Sequence, residues 1–216
     1  MATIAPTLTE KSPQPPGGNR AGFDRGDFGD PGKGQPRPLP ERRYYTGMML
    51  ALVAIFMIFA AFTSALVVRS GLSDDWVATA LPGILWPNTL ILLASSFTLE
   101  KARRGYAGSG RFQLWWGATT VLGAAFLTGQ ILAWQQLAAD GVYLDTNPSS
   151  SFFYVLTATH GLHLLGGLLA LVYVSWKIQR KNSKTSVATI MGVTALYWHF
   201  MDGLWIYLIG LLLFWR

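Results

Sequence analysis

The sequence has no cysteine, and that single gap removes disulfides, thiolate metal sites and cysteine nucleophiles at once. It is also short of charge. Only 13% of the 216 residues are Asp, Glu, Lys or Arg, against about 25% in an ordinary soluble domain. That shortage points to a solvent other than water. No apolar run precedes Tyr44, so the N-terminal stretch does not read as a secretory signal. No P-loop, Rossmann or hydrolase constellation is present, and the one GxG-like run lies in Gly/Pro-rich sequence with no strand before it. The net charge of +6 has no soluble basic module to carry it, which excludes nucleic acid as a partner.

What the sequence does have begins at Tyr44. Residues 1–40 hold eight of the eleven prolines and seven of the 23 glycines. They contain too little apolar surface to offset chain entropy, so they read as a disordered tail. Residues 41–216 read as one membrane domain. Five apolar stretches run over Tyr44–Val68, Pro82–Leu99, Phe112–Leu137, Phe152–Trp176 and Thr189–Trp215. Each is long enough to cross about 30 Å of hydrocarbon at ~1.5 Å per residue. The expected fold is all-α, a polytopic membrane protein of five transmembrane helices. Short loops predict that sequential helices are neighbours. No internal repeat argues for an inverted-repeat transporter.

Orientation follows from Lys and Arg. Fifteen of the seventeen fall on one side: the N-terminal segment through Arg43, the Lys101–Arg111 loop and the Lys177–Lys184 loop. The other side has Arg69 and Arg216, with Asp74, Asp75, Asp140 and Asp145. The N-terminus is therefore expected in the cytoplasm and the C-terminus outside. Asp140-Gly141 and Asn147-Pro148 mark the turn before the fourth span, with the Ser149–Ser151 run offering an N-cap. Pro82 opens the second span, and Pro87 a turn further in predicts a kink or a short interfacial helix there.

Polar residues at membrane depth carry the functional information, because they are costly in hydrocarbon and need partners. All three histidines lie on the last two spans. His160 and His163 are three apart in TATHGLHLLGG, on nearly one helical face. Thr159, His163 and Gly167 make a four-spaced stripe whose small member permits close helix approach. His199 and Asp202 are three apart in YWHFMDGLWIY, flanked by Trp198 and Trp205. Asn88, Thr89, Ser95, Ser96 and Thr98 stud the second span, and Gln130 and Gln135 the third. The hydroxyls can bond to their own helix, whereas Asn88 and Gln130 should face the protein interior.

Three chemistries remain open for these groups: a metal or haem site, a proton relay, and mutual satisfaction that fixes helix register. Two histidines on one helix and one elsewhere do not make the facing pairs of a haem bundle. Asp202 has no second buried carboxylate to pass protons along. Mutual satisfaction is the reading the residues favour.

Two stretches resemble a known family. Ser151–Gly167, SFFYVLTATHGLHLLGG, and Tyr197–Tyr207, YWHFMDGLWIY, are similar to the signature helices of haem–copper oxidase (cytochrome c oxidase) subunit III. NTLILLASSFTLEKA in the second span, and more loosely GQILAW in the third, extend the likeness to everything except the tail. The five-span form resembles bacterial members lacking the first two helices of the longer type. The resemblance implies a non-catalytic core subunit of a proton-pumping terminal oxidase in the bacterial inner membrane. It implies no haem or copper in this chain, those cofactors lying in partner subunits. Subunit I would be the direct partner and subunit II a further one. Phospholipid would occupy a cleft between helix groups, and proton uptake and stability of subunit I would be sustained. His160, His163, His199, Asp202, Asn88 and Gln130 would be interior ties near that cleft, with Trp198 and Trp205 lining or packing it. Arg103, Arg104 and Lys177 would meet lipid headgroups.

One departure limits the analogy. Many relatives carry a buried acid in the helix matching the first span, and this chain has only apolar residues around Leu52–Ala54. Gln130 stands where some relatives have another acid. A quinol oxidase or nitric oxide reductase accessory subunit shares the signature. A small transporter or channel using Asp202, or a b-type haem protein, would be readings of another class.

Overall fold

The computed structural model describes residues 41–72, 81–105, 111–179 and 184–214. The expected tail, 1–40, lies outside them. Five helices follow in order: α1 Glu41–Leu72, α2 Leu85–Gly105, α3 Phe112–Ala139, α4 Pro148–Gln179 and α5 Lys184–Phe214. α1, α3, α4 and α5 are long and apolar enough to cross a membrane. α2 falls short on composition. Its 21 residues include Glu100, Lys101, Arg103 and Arg104 in the last two turns, and Asn88 and Ser95 among its buried positions.

The helix ends show the local chemistry that fixes the boundaries. Pro82 and Gly83 form the turn before α2, with Leu85 N donating to Pro82 O at 3.1 Å and Trp86 N to Gly83 O at 3.3 Å. Pro87 therefore falls in the first turn of α2, where a backbone N–H has no helical acceptor and its loss costs nothing. The expected kink has no cause. α3 ends on Gly141, whose φ of 77° is the left-handed conformation that glycine tolerates. Gly141 N then bonds Ala138 O at 3.1 Å and Val142 N bonds Leu137 O at 2.9 Å, the Schellman pattern. α4 is capped by Asn147 rather than by a serine. The Asn147 side chain accepts from Ser150 N at 2.8 Å, and Ser150 Oγ accepts from Asn147 N at 3.3 Å. Pro148 then occupies the first helical position, where its fixed φ suits the helix.

Interhelical hydrogen bonds set the directions. Thr98 Oγ1 meets Thr119 Oγ1 at 2.8 Å near one end, and Asn88 Nδ2 donates to Phe126 O at 3.1 Å near the other, so α2 and α3 are antiparallel. Trp116 Nε1 to Leu171 O and Trp134 Nε1 to Thr157 Oγ1, both 3.1 Å, make α3 and α4 antiparallel. Trp198 Nε1 to Ser95 Oγ and Trp205 Nε1 to Thr89 Oγ1, both 3.0 Å, do the same for α2 and α5. α1 runs parallel to α5: Tyr207 OH donates to Thr63 Oγ1 at 2.9 Å, and Tyr45 lies against Gly192 at the opposite end.

α1 packs on α4 and α5 and makes no close contact with α2, its neighbour in sequence. The expectation of sequential neighbours holds for α2–α3, α3–α4 and α4–α5 and fails for α1–α2. A four-helix body, α2 to α5, thus carries α1 on its α4–α5 face.

Candidate functional site

Trp198 is the centre of the four-helix body. It is fully buried and touches every other helix of the body. Its indole N–H donates to Ser95 on α2. A Cβ added at Gly123 of α3 would come within 2.6 Å of the Trp198 ring, and one at Gly167 of α4 within 3.3 Å. Those two positions are glycine because the indole fills the space a side chain would need. Gly167 also admits Tyr197, whose OH donates to His163 O at 2.7 Å. Seven residues on, Trp205 lies on the same face of α5, fully buried, and donates to Thr89.

The four polar residues of the two motif helices do not meet one another. His160 is fully buried, its ring 5.0 Å from Trp205 and edge-on to Phe126 of α3 at 6.1 Å. His163, one turn away, turns toward α1. Its ring is 5.9 Å from Phe59, and its Nδ1 bonds Thr159 O at 2.7 Å on its own helix. The 60° between i and i+3 positions is enough to give the pair different neighbours. His199 Nδ1 bonds Ser96 Oγ of α2 at 2.5 Å. Asp202 is 5% exposed, and neither carboxyl oxygen has a hydrogen bond of good geometry. Ser96 is the polar side chain beside it. The expected mutual satisfaction is met only in part: His163 is tied to its own backbone and His199 to a serine, while among the described residues His160 has no hydrogen-bond partner and Asp202 none of good geometry.

Asn88 and Gln130 lie in the interior, each 2% exposed. The Asn88 amide is held by Phe126 O and lies against Gly129, where any Cβ would collide with it. The Asn88 oxygen and both polar atoms of Gln130 lack partners.

Between α1 and α5 runs a groove of about 480 Å³ lined by Met49, Leu52, Val53, Phe56, Leu196, His199 and Phe200. Apart from His199 it is apolar. Leu52 belongs to the stretch where relatives were expected to carry an acid, so His199 faces hydrocarbon side chains across the groove and takes its bond from α2 instead. Trp198 and Trp205 do not line the groove. At the far end of α2, Glu100 engages both Arg103 and Arg104, at 3.1 and 2.8 Å. Lys101 lies over the rings of Phe97 and Trp115 at 4.9 and 5.0 Å. Lys177 is half-exposed in the last turn of α4.

Sequence reasoning missed the pairing of α5 tryptophans with α2 hydroxyls. A signal existed in the axial spacing: Thr89 and Ser95 are six apart, and Trp198 and Trp205 seven, rises of about 9 and 10.5 Å that let both pairs meet at matching depths on antiparallel helices.

These features define a class: a helical membrane protein whose helices are locked by indole–hydroxyl bonds, with a set of polar side chains buried between them. The particular family follows from comparison. Residues 41–216 match the family model for cytochrome c oxidase subunit III. A cytochrome c oxidase subunit 3 from Synechocystis sp. is 35% identical over 180 residues, covering 78% of this chain and 74% of the relative. That of Thermostichus vulcanus is 31% identical, covering 77% and 84%. A probable cytochrome c oxidase subunit 3 from Nocardia farcinica is 31% identical, covering 79% and 87%. The chain belongs to the cytochrome c oxidase subunit III family.

Proposed function

We propose that this chain is the non-catalytic subunit III of a haem–copper terminal oxidase of the cytochrome c oxidase type. The observation that carries the reading is the family match over 41–216, which covers every described helix. Set in a bilayer, all five helices cross it, α2 included. Its uncharged stretch, Leu85–Leu99, ends at the Glu100–Arg104 cluster, where a cytoplasmic interface would fall. The N-terminus is then cytoplasmic and the C-terminus outside, in agreement with the Lys/Arg bias and with the parallel course of α1 and α5. The membrane is the bacterial inner membrane.

In this role the chain binds subunit I directly, within a complex that also holds subunit II, and the haem and copper belong to those partners. It supports the stability of subunit I and its proton uptake. A phospholipid acyl chain fits the α1–α5 groove, whose walls are apolar. Arg103, Arg104 and Lys177 would stand at headgroup level, the first two with part of their charge already taken by Glu100.

Mild-detergent extraction tests the reading. The chain should migrate with a much larger assembly that has haem absorbance and oxygen-reducing activity, and should itself show no Soret band after dissociation. Isolation as a stable monomer with an Asp202-dependent transport activity would overturn it.

A further inference from the structure

Three buried polar side chains on three helices lie at one depth. Trp134 of α3 bonds Thr157 of α4, so one turn along each antiparallel helix Gln130 stands level with His160. Asn88 of α2 reaches the same level, because its amide bonds Phe126 O and rests on Gly129, the residue before Gln130. Phe126 in turn touches His160 edge-on. All three side chains are at most 2% exposed. Five of their polar atoms, Asn88 Oδ1, Gln130 Nε2 and Oε1, and both ring nitrogens of His160, have no hydrogen-bond partner among the described residues.

Buried polar atoms are nearly always paired, with protein or with ordered water. We propose that Asn88, Gln130 and His160 form an internal water-binding site between α2, α3 and α4. The chemistry of the donor set fits water. Asn88 Oδ1 accepts, the Gln130 amide both donates and accepts, and a neutral imidazole offers one N–H and one lone pair. A water accepting from Gln130 Nε2 and the His160 N–H, and donating to Asn88 Oδ1 and Gln130 Oε1, makes the two to four bonds that retain buried water. No ionised side chain belongs to the set, so it offers an ion no counter-charge. The walls are rigid: the His160 ring is flanked by Trp205 and Phe126, and Asn88 is anchored by its own bond. The water would thus add polar bonds from α4 to the α2–α3 pair that Asn88 already links through Phe126 O.

The test is a structure of the intact detergent- or nanodisc-embedded complex at a resolution that shows ordered water, for wild type and for Gln130→Leu, together with their thermal melting. The site predicts density within about 2.7–3.2 Å of at least two of the three side chains in wild type and its loss in the variant. It also predicts a melting temperature several degrees lower for Gln130→Leu, since Asn88 and His160 lose their shared partner. Absence of density in wild type, or a direct Gln130–His160 hydrogen bond in its place, would overturn the proposal. So would a Gln130→Leu complex melting at or above wild type, as removal of polar atoms from a dry core would give.

Discussion

α1 and α5 are both long apolar helices running in one direction, yet they stand in opposite relations to the rest of the molecule. α1 contains the most apolar stretch in the chain, and only 22% of that stretch is buried in the protein. The corresponding stretch of α5 is less apolar and 44% buried. In water the more apolar helix would be the inner one. In a bilayer the outer helix faces hydrocarbon and must be apolar throughout, while the inner one can carry His199, Asp202 and two indole N–H groups because other helices satisfy or shield them. α1 leans on the body through few polar ties, Tyr207 to Thr63 among them. α5 is pinned to α2 by two indole–hydroxyl bonds.

The sharpest way to break this contrast is to truncate an aromatic on each helix. Trp198→Ala empties a fully buried site touching α2, α3 and α4, and the expected loss is about 3–5 kcal/mol, enough to abolish recovery of assembled complex. Phe56→Ala on α1, where the side chain is 57% exposed, should leave assembly intact. Quantifying this chain in membranes and in the purified complex reads both. Equal losses would mean that the exposed face of α1 is itself a tight interface.

Next in size is a methyl group added at glycine. Gly123→Ala drives a Cβ to 2.6 Å from a rigid indole and should cost about 1–3 kcal/mol through overpacking. Gly203→Ala on α5 meets nothing within 4 Å and should be neutral or slightly stabilising, alanine being the better helix former. A thermal melt of each complex distinguishes them. Similar melting temperatures would show that Trp198 can shift, and that the centre of the body is looser than its contacts imply.

Much of this was legible in the sequence, for reasons that also explain what was not. The five helices were legible because apolar length is a one-dimensional signal. So were the turn at Asp140-Gly141 and the interior place of Asn88 and Gln130. Partner choice was not. Nothing in the α1 sequence says that it skips α2 and packs on α4 and α5, since an apolar surface is compatible with lipid or with any helix. The i, i+3 spacing of His160 and His163 suggested a common face, yet 60° sends one toward Trp205 and the other toward Phe59. Pro87 promised a kink because its place relative to the helix start depends on the Pro82-Gly83 turn. The serine run hid the true cap, Asn147, whose side chain and that of Ser150 bond reciprocally.

Ser96 sharpens the comparison inside α5 itself. Ser96→Ala removes the bond to His199 Nδ1 and leaves a half-buried imidazole nitrogen unpaired, at an expected cost of about 1–2 kcal/mol. Asp202→Asn should cost less, because neither carboxyl oxygen has a well-formed bond to lose. Oxygen reduction per assembled complex should be unchanged in both. If Asp202→Asn instead halts turnover in a fully assembled complex, Asp202 acts as a proton carrier rather than as a buried polar residue beside Ser96.

The smallest effect belongs to the charged end of α2. Glu100 draws Arg103 and Arg104 together, but Arg104 is 80% exposed and Glu100 35%. Exposed helix pairs are screened by water and salt, and contribute about 0.2–1 kcal/mol at most. Glu100→Gln should therefore shift the melting temperature by little more than measurement error, and the shift should vanish in high salt. Its larger consequence lies elsewhere. With Glu100 neutral, two guanidinium groups are freed from their intramolecular partner. Binding to anionic-lipid vesicles or nanodiscs should then strengthen relative to wild type, in a manner that salt weakens. Unchanged lipid affinity would mean that Arg103 and Arg104 serve the helix end alone, leaving headgroup contact to other residues.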